Sequence, residues 1–242
     1  MNSAGQGIAG KVIIISGGAR GLGRALVERF EAEGASLAVI GKTAAGIETL
    51  QRSVKRPGDH LLWHGDISQE KVIKGFAEQA QIKFGAVDVI INNASILGPR
   101  ISIMDYDIAD WREVFKVNLE GTFLLTKAFL PGMIERRSGS IINVSSSVGR
   151  KGLANWGAYS ASKFGLEGFT QILAQEVAEY GVKVNSVNPG GMATDMRHSA
   201  FPYEDPATLP SPSQFLDVYL YLAGVKSEGV SGKAFDARTF SL

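Results

Sequence analysis

Seven short apolar runs punctuate the chain, at residues 12–16, 36–40, 60–64, 87–91, 140–144, 182–187 and, more weakly, 233–236. Between them apolar positions recur at helical spacing, over 21–33, 43–54, 69–84, 108–136, 159–180 and 213–223. A β-branched run of four to six residues bounded by glycine or polar residues reads as a buried strand, and a 3.6-residue period reads as an amphipathic helix. Strict alternation of the two with short connections implies right-handed crossovers and a parallel sheet covered by helices on both faces. The expected fold class is therefore α/β, a doubly wound Rossmann-type sheet of about seven strands. No internal repeat, low-complexity tract or linker interrupts the pattern, so residues 1–242 read as one domain. The segment 200–213, with four of the eight prolines, reads as a mobile loop beside the site, and the substrate loop is placed at 196–213.

Two of these elements carry chemistry. Directly after the first strand comes "SGGARGLG", residues 16–23, leading into a helix. Gly17, Gly21 and Gly23 have no side chains, so backbone amides and the helix N-terminus are able to approach a pyrophosphate closely, as a dinucleotide-holding turn requires. The spacing is G-x3-G-x-G rather than GxGxxG. The other is Tyr159 with Lys163 four residues on, at the start of a helix. Residues at i and i+4 share a face, which sets an ammonium near a phenol and favours phenolate. A pair of this kind is also an ordinary surface pair on an amphipathic helix; what weighs against that reading is its company.

Composition narrows the possibilities without naming one. With 45 % hydrophobic residues a single α/β core is well supplied, and a net charge of +1 offers no field for nucleic acid or an anionic membrane surface. The chain has no cysteine, which removes disulfides, thiolate metal sites and a cysteine nucleophile and fits a cytoplasmic protein. The first eleven residues have neither a basic flank nor an apolar core, and nowhere do eighteen apolar residues run together, so a soluble, unexported protein is expected. His60, His64 and His198 form no ligand set with nearby acids, so no metal site is expected.

Seven motifs in order across nearly the whole chain resemble those of the short-chain dehydrogenase/reductase family, closest in pattern to NADP-preferring members that act on 3-oxoacyl groups. They are "SGGARGLG" (16–23), "GDI" (65–67), "NNAS" (92–95), "VNLEG" (117–121), "NVSSS" (143–147), "YSASK" (159–163) and "NPGGMATDM" (188–196). The resemblance implies a catalytic tetrad of Asn118, Ser146, Tyr159 and Lys163. Ser146 lies thirteen residues before Tyr159, as the family's serine does, and Ser145 and Ser147 would point elsewhere on an extended backbone. In the implied chemistry Ser146 polarises a substrate carbonyl and Tyr159 exchanges its proton with the oxygen as hydride is transferred. Lys163 lowers the tyrosine pKa and bonds the nicotinamide ribose, and Asn118 holds a water that resupplies the proton. Cofactor contacts are implied at Gly17, Ala19, Arg20, Gly21, Leu22 and Gly23 in the turn, at Asp66, Ile67, Asn93, Ala94 and Ser95, at Tyr159 and Lys163, and at Pro189, Gly190, Met192 and Thr194.

Charge points to which dinucleotide. An acid at the end of the second strand would bind a ribose 2′-hydroxyl and repel a 2′-phosphate. Here Gly41, Lys42 and Thr43 follow that strand, with Arg20 nearby in the turn, so NADP(H) is expected over NAD(H). The chain departs from the family pattern at Ser95, which stands where glycine is usual, and in a tail without the customary double glycine, which puts the end strand and subunit packing in question. Of two basic positions that dock acyl carrier protein in relatives, Arg137 occupies one and Tyr180 the other, which weakens that partnership. Leu153, Trp156, Met192, Met196 and Phe201 suggest an apolar pocket for a small ketone or secondary alcohol. The resemblance implies pairing of the helices at 108–136 and 159–180, whose apolar faces exceed what one sheet surface needs, in a homo-oligomer, a tetramer ahead of a dimer. Two other readings stay open: a dinucleotide-sensing or scaffold protein without chemistry, and an epimerase or dehydratase on the same fold.

Overall fold

A computed structural model describes residues 7–241; residues 1–6, part of the stretch read above as lacking a leader, lie outside the described residues. Seven parallel strands form one sheet in the order β3-β2-β1-β4-β5-β6-β7: β1 Val12–Ser16, β2 Ser36–Gly41, β3 Leu61–His64, β4 Val89–Asn92, β5 Gly139–Val144, β6 Val182–Asn188 and β7 Ala234–Asp236. The helices are α1 Gly21–Ala32, α2 Ala44–Ser53, α3 Glu70–Phe84, α4 Ile108–Phe115, α5 Gly121–Arg136, α6 Gly157–Glu176, α7 Asp195–Ala200 and α8 Asp217–Ala223. Alternate residues of each strand feed two cores. Ile13 and Ile15 join Leu26 and Phe30 of α1 and Tyr219 of α8 on one face, while Ile14 joins Phe76 of α3 and Leu125 and Phe129 of α5 on the other. Burial on both faces is what a run such as "VIII" encodes, and it supplies most of the stabilisation.

Three expectations need correction. The stretch 108–136 is not one helix: a π-turn at Lys116–Glu120 separates α4 from α5, at the position of Asn118. An apolar period continues through a single π-turn, so the pattern cannot reveal it. His60 lies outside the third strand; its Nδ1 accepts from the Leu37 amide at 3.2 Å and its Nε2 sits 3.0 Å from Glu31, so it ties the edge of β2 to α1. The segment 196–213 has structure of its own, with α7 followed by short 3-10 turns at Pro206–Thr208 and Pro212–Phe215. Proline at the first turn position and Thr194, Asp205 and Ser211 as side-chain caps make these turns.

The tail forms the end strand despite its missing glycines. β7 pairs with β6, Ser186 opposite Ala234 and Asn188 opposite Asp236. Arg150 fastens it, bonding Asp236 at 3.1 Å and the Phe235 carbonyl at 3.0 Å.

Candidate active site

The strand order reverses between β1 and β4, and in open α/β sheets such a reversal defines the crevice beyond the carboxyl ends of the strands where ligands bind. The glycine turn leaves β1 into this crevice. Gly17 and Gly21 have φ of +68° and +53°, a region that favours glycine. A Cβ on Gly23 would stand 2.1 Å from the Gly17 carbonyl oxygen, so the turn closes on its own backbone. Asn93 locks it: its Nδ2 donates to the carbonyls of Ser16 at 2.9 Å and Gly17 at 3.2 Å, while the amides of Asn93 and Ala94 both donate to Ser16 Oγ at 3.0 Å. The Asn93 side chain is thus spent on holding the turn. The N-terminus of α1 carries neither a side-chain cap nor an acid in its first turn, leaving amide N–H groups and a positive dipole end aimed at the crevice. That is a cradle fitted to a pyrophosphate.

The groups expected around the ribose and adenine cluster at the ends of β2 and β3. Lys42 Nζ lies 3.0 Å from Asp66 and 3.4 Å from Glu113, and the Asp66 hydrogen bond holds the lysine pKa above its ordinary value. Asp66 also accepts from the amide and hydroxyl of Ser68; desolvation opposes its ionisation, but these bonds and Lys42 hold its pKa below normal. Lys42 is therefore no free cation. Arg20 is similarly engaged, 3.6 Å from Asp195, with both side chains largely exposed. Thr43 accepts from Gly46 N as the cap of α2, Ile67 is buried in the second core, and Ala19 packs against Gly41 and Gly46. Leu22 and Met192 are core residues. Thr194 comes close enough to Gly21 that a Cβ there would touch it at 3.5 Å, so the glycine turn and the 188–196 loop meet across the crevice. In that loop, Gly190 has φ +76° and its amide donates to Asn188 Oδ1, turning the chain after Pro189.

Ser146, Tyr159 and Lys163 converge at the end of β5. Ser146 begins the short turn Ser147–Gly149; Gly149 packs so tightly on Lys163 that a Cβ would lie 2.7 Å from its Cβ, and Ser160 donates to the Val148 carbonyl. Ser145 instead continues the sheet, its amide donating to Val187 O, with its hydroxyl buried and unbonded. Burial pushes the Tyr159 phenol pKa up, and the hydroxyls of Ser146 and Ser95 facing it pull the other way, although Ser95 Oγ makes no bond of good geometry. Lys163 Nζ donates to the Val144 carbonyl at 2.7 Å and stands 5.7 Å from the tyrosine ring centre. Burial lowers its own pKa to about 8, against the attraction of Glu167 one turn along. The lysine expected to draw the phenol down is thus itself drawn toward neutrality, because its ammonium is desolvated and bonded to a neutral carbonyl; the downward pull on Tyr159 comes from the hydroxyls.

Asn118 is held through its side chain. Its Oδ1 accepts from Ile96 N at 2.8 Å, and its Nδ2 donates to Ile96 O and Ser162 Oγ, both at 3.0 Å. Both side-chain donors are used within the protein. Ser162 donates in turn to the Tyr159 carbonyl, so Asn118 ties the loop after β4 to the helix that carries the tyrosine.

The wall opposite the crevice includes residues that sequence reading missed. Arg100 packs on both Trp156 and Phe201, its guanidinium carbon 4.5 and 4.6 Å from the ring centres, and donates to the Ala200 carbonyl. Arg197 covers Phe201 at 3.8 Å, and Trp156 packs 5.9 Å from Tyr159. Only the aromatic members of this cluster were expected, as an apolar pocket. Arg150 and Glu167 were missed as well: Arg150 Nε bonds Glu167 at 2.9 Å, and Ser186 donates to the same carboxylate at 2.6 Å. No fixed spacing joins these residues, so no motif announces them.

Fold and site together define a dinucleotide-binding α/β protein in which a half-buried Ser146 faces a buried Tyr159 and Lys163. The chain belongs to the short chain dehydrogenase family, whose model matches residues 11–205. It is 39 % identical to a short chain dehydrogenase of Pseudomonas syringae, with a TM-score of 0.91 and 95 % of each chain covered. A short chain dehydrogenase of Shigella flexneri, solved in complex with NADP, is 33 % identical, with a TM-score of 0.91 over 96 % of this chain and 99 % of that one. The 3-oxoacyl-[acyl-carrier-protein] reductase of Aquifex aeolicus is 33 % identical over 93 % of this chain and 95 % of its own length. No helix among the described residues is long and apolar enough to cross a membrane.

Proposed function

We propose that this protein is an NADP(H)-dependent oxidoreductase that interconverts a carbonyl group and a secondary alcohol, with Tyr159 as general acid and base. The observation that carries the reading is the convergence of Ser146, Tyr159 and Lys163 beside a crevice whose glycine turn fits a pyrophosphate. The nicotinamide, when bound, supplies or accepts the hydride. Ser146 donates to the substrate oxygen and fixes its position; Tyr159 gives that oxygen a proton in reduction and takes it back in oxidation. A phenol held neutral by burial is in the right state to donate. Lys163, fixed on Val144 O, places its remaining N–H groups toward the ribose and the phenol, and Asn118 keeps α6 and the 93–98 segment in register.

Support for NADP(H) over NAD(H) comes from the absence of an acid at the end of β2, from Lys42 and Arg20 beside it, and from the relative solved with NADP. The chain acts as one dinucleotide-binding domain in the cytoplasm, with 196–213 as its substrate segment. It assembles as a homo-oligomer through α4, α5 and α6, whose outer face is a groove lined by Trp111, Phe115, Leu119, Phe123 and Phe169.

The test is a panel of ketones followed by NADPH absorbance beside NADH. Tyr159→Phe removes the proton donor and keeps the shape, so turnover falls by about a hundredfold or more while NADPH binding persists. Near-normal turnover in that variant sinks the mechanism.

A further inference from the structure

Two arginines flank Phe201, and they differ in one respect. The Nε and Nη2 groups of Arg197 form the paired edge of its guanidinium, and Glu204 fills that edge with bonds of 2.5 and 2.6 Å. On Arg100 the same edge has no partner. Its Nη1 is taken by the Ala200 carbonyl, and among the described residues no carboxylate pairs with it; Arg112, Arg136, Arg137 and Arg238 lack one too, but among the described arginines only Arg100 has a buried side-chain nitrogen, Nε, without a partner. Trp156 and Phe201, their ring centres 5.9 Å apart, pack side by side against the Arg100 guanidinium, and with the Ala200 bond they restrict its movement. The Trp156 ring that holds it also packs on Tyr159.

We propose that Arg100 recognises a carboxylate of the substrate, so that the substrate is an oxo acid or its hydroxy-acid counterpart. This rests on the oxidoreductase reading and narrows it to an anionic class. A guanidinium edge matches the two oxygens of a carboxylate, and a desolvated, unpaired N–H on a permanent cation is costly until an acceptor arrives. Neighbouring Arg197 does not compete, because Glu204 already neutralises it. Carboxylate and reacting carbonyl are then gripped at two points, Arg100 at one end and Ser146 with Tyr159 at the other, which fixes the carbonyl relative to the crevice.

The experiment compares three oxo acids, 4-oxopentanoate, 4-oxocyclohexanecarboxylate and phenylglyoxylate, with their methyl esters. Binding to the NADP-loaded protein is read by calorimetry and reduction by NADPH absorbance, in wild type, Arg100→Gln and Arg100→Lys, with melting temperatures taken for each. Gln keeps a planar amide able to donate to Ala200 but has no charge; Lys restores charge without the paired edge. The wild type is expected to bind at least one acid about tenfold or more tighter than its ester. That preference falls to within about threefold of unity in Arg100→Gln and returns in part in Arg100→Lys. A wild type indifferent to the acid, a preference that survives Arg100→Gln, or no binding of any acid overturns the inference. Acid preference in binding with no oxidation of NADPH leaves the carboxylate site standing and overturns the oxidoreductase reading instead.

Discussion

Between the ends of β1 and β4 the wall of the crevice is backbone; across from it, between α6 and α7, the wall is side chain. On the first side Gly17, Gly18 and Gly23 pack so closely that added Cβ atoms would fall 2.9, 2.4 and 2.1 Å from their nearest neighbours, and Asn93 and Ser16 bond to main-chain groups. On the second, Trp156, Arg100, Phe201 and Arg197 form a cluster of rings and guanidinium groups. A backbone wall recognises what every dinucleotide shares, and it fails structurally when changed. A side-chain wall exchanges specificity without disturbing the sheet.

The sharpest way to break the comparison is Gly23→Ala. The new methyl meets the Gly17 carbonyl, and the turn and α1 must separate. NADPH affinity is expected to fall by about a hundredfold or more, with a stability loss on the order of 2–4 kcal/mol. Titration and chemical unfolding read both; a variant that binds NADPH normally would show that the turn is not backbone-limited.

Next in size is an effect at the seam, where Lys163 is buried against Val144 O. Burial holds its pKa at about 8 in the folded protein, well below the unfolded value near 10.4. The unfolded state therefore binds more protons between about pH 8 and 10, and stability rises with pH across that window. Lys183, likewise lowered to about 8 by burial, adds in the same direction. Above about pH 10 the sign reverses, because burial raises the pKa of Tyr159 and Tyr219 and unfolding lets them ionise. Without added dinucleotide, urea unfolding is expected to show a gain of about 2 kcal/mol from Lys163 between pH 7.5 and 9.5. The gain shrinks by that amount in Lys163→Met. A flat profile would mean the ammonium is better compensated than its bonds indicate.

Phe201→Ala tests the other wall. It removes the ring between two guanidinium groups, so KM for a working substrate is expected to rise about fivefold to tenfold while NADPH affinity stays within about twofold. Equal losses in both would show that the two walls are one structure.

The same contrast explains what was legible. Gly17, Gly21, Gly23, Tyr159 and Lys163 stand at fixed spacings because one turn or one helix face sets their geometry, and strand periodicity placed them all at the carboxyl edge of the sheet. Arg100 meets Ala200 across a hundred residues, and Arg150 reaches Asp236 across eighty-six. Only the folded chain makes such pairs, so neither was foreseen. Lys42 shows an intermediate case: its position at the end of β2 was readable, but its engagement by Asp66 and Glu113 depends on the arrival of β3 and α4.

That engagement sets the smallest prediction. Lys42→Ala and Arg20→Ala each remove an exposed cation from the expected 2′-phosphate side, but each cation already faces a carboxylate, Asp195 and Glu113 exposed and Asp66 half-buried. Exposed pairs are weak and easily exchanged, and the partner acid left behind is then unpaired near the phosphate. NADPH affinity is expected to fall about threefold to tenfold per variant and NADH affinity to change less than about twofold. Because these contacts are solvated, the loss shrinks as salt rises from 0.05 to about 0.5 M. The Gly23→Ala loss should be nearly salt-independent, since it is steric. Titrations at both salt concentrations separate the two origins. If Lys42→Ala and Arg20→Ala leave the NADPH-to-NADH ratio untouched at low salt, cofactor choice does not reside at the end of β2.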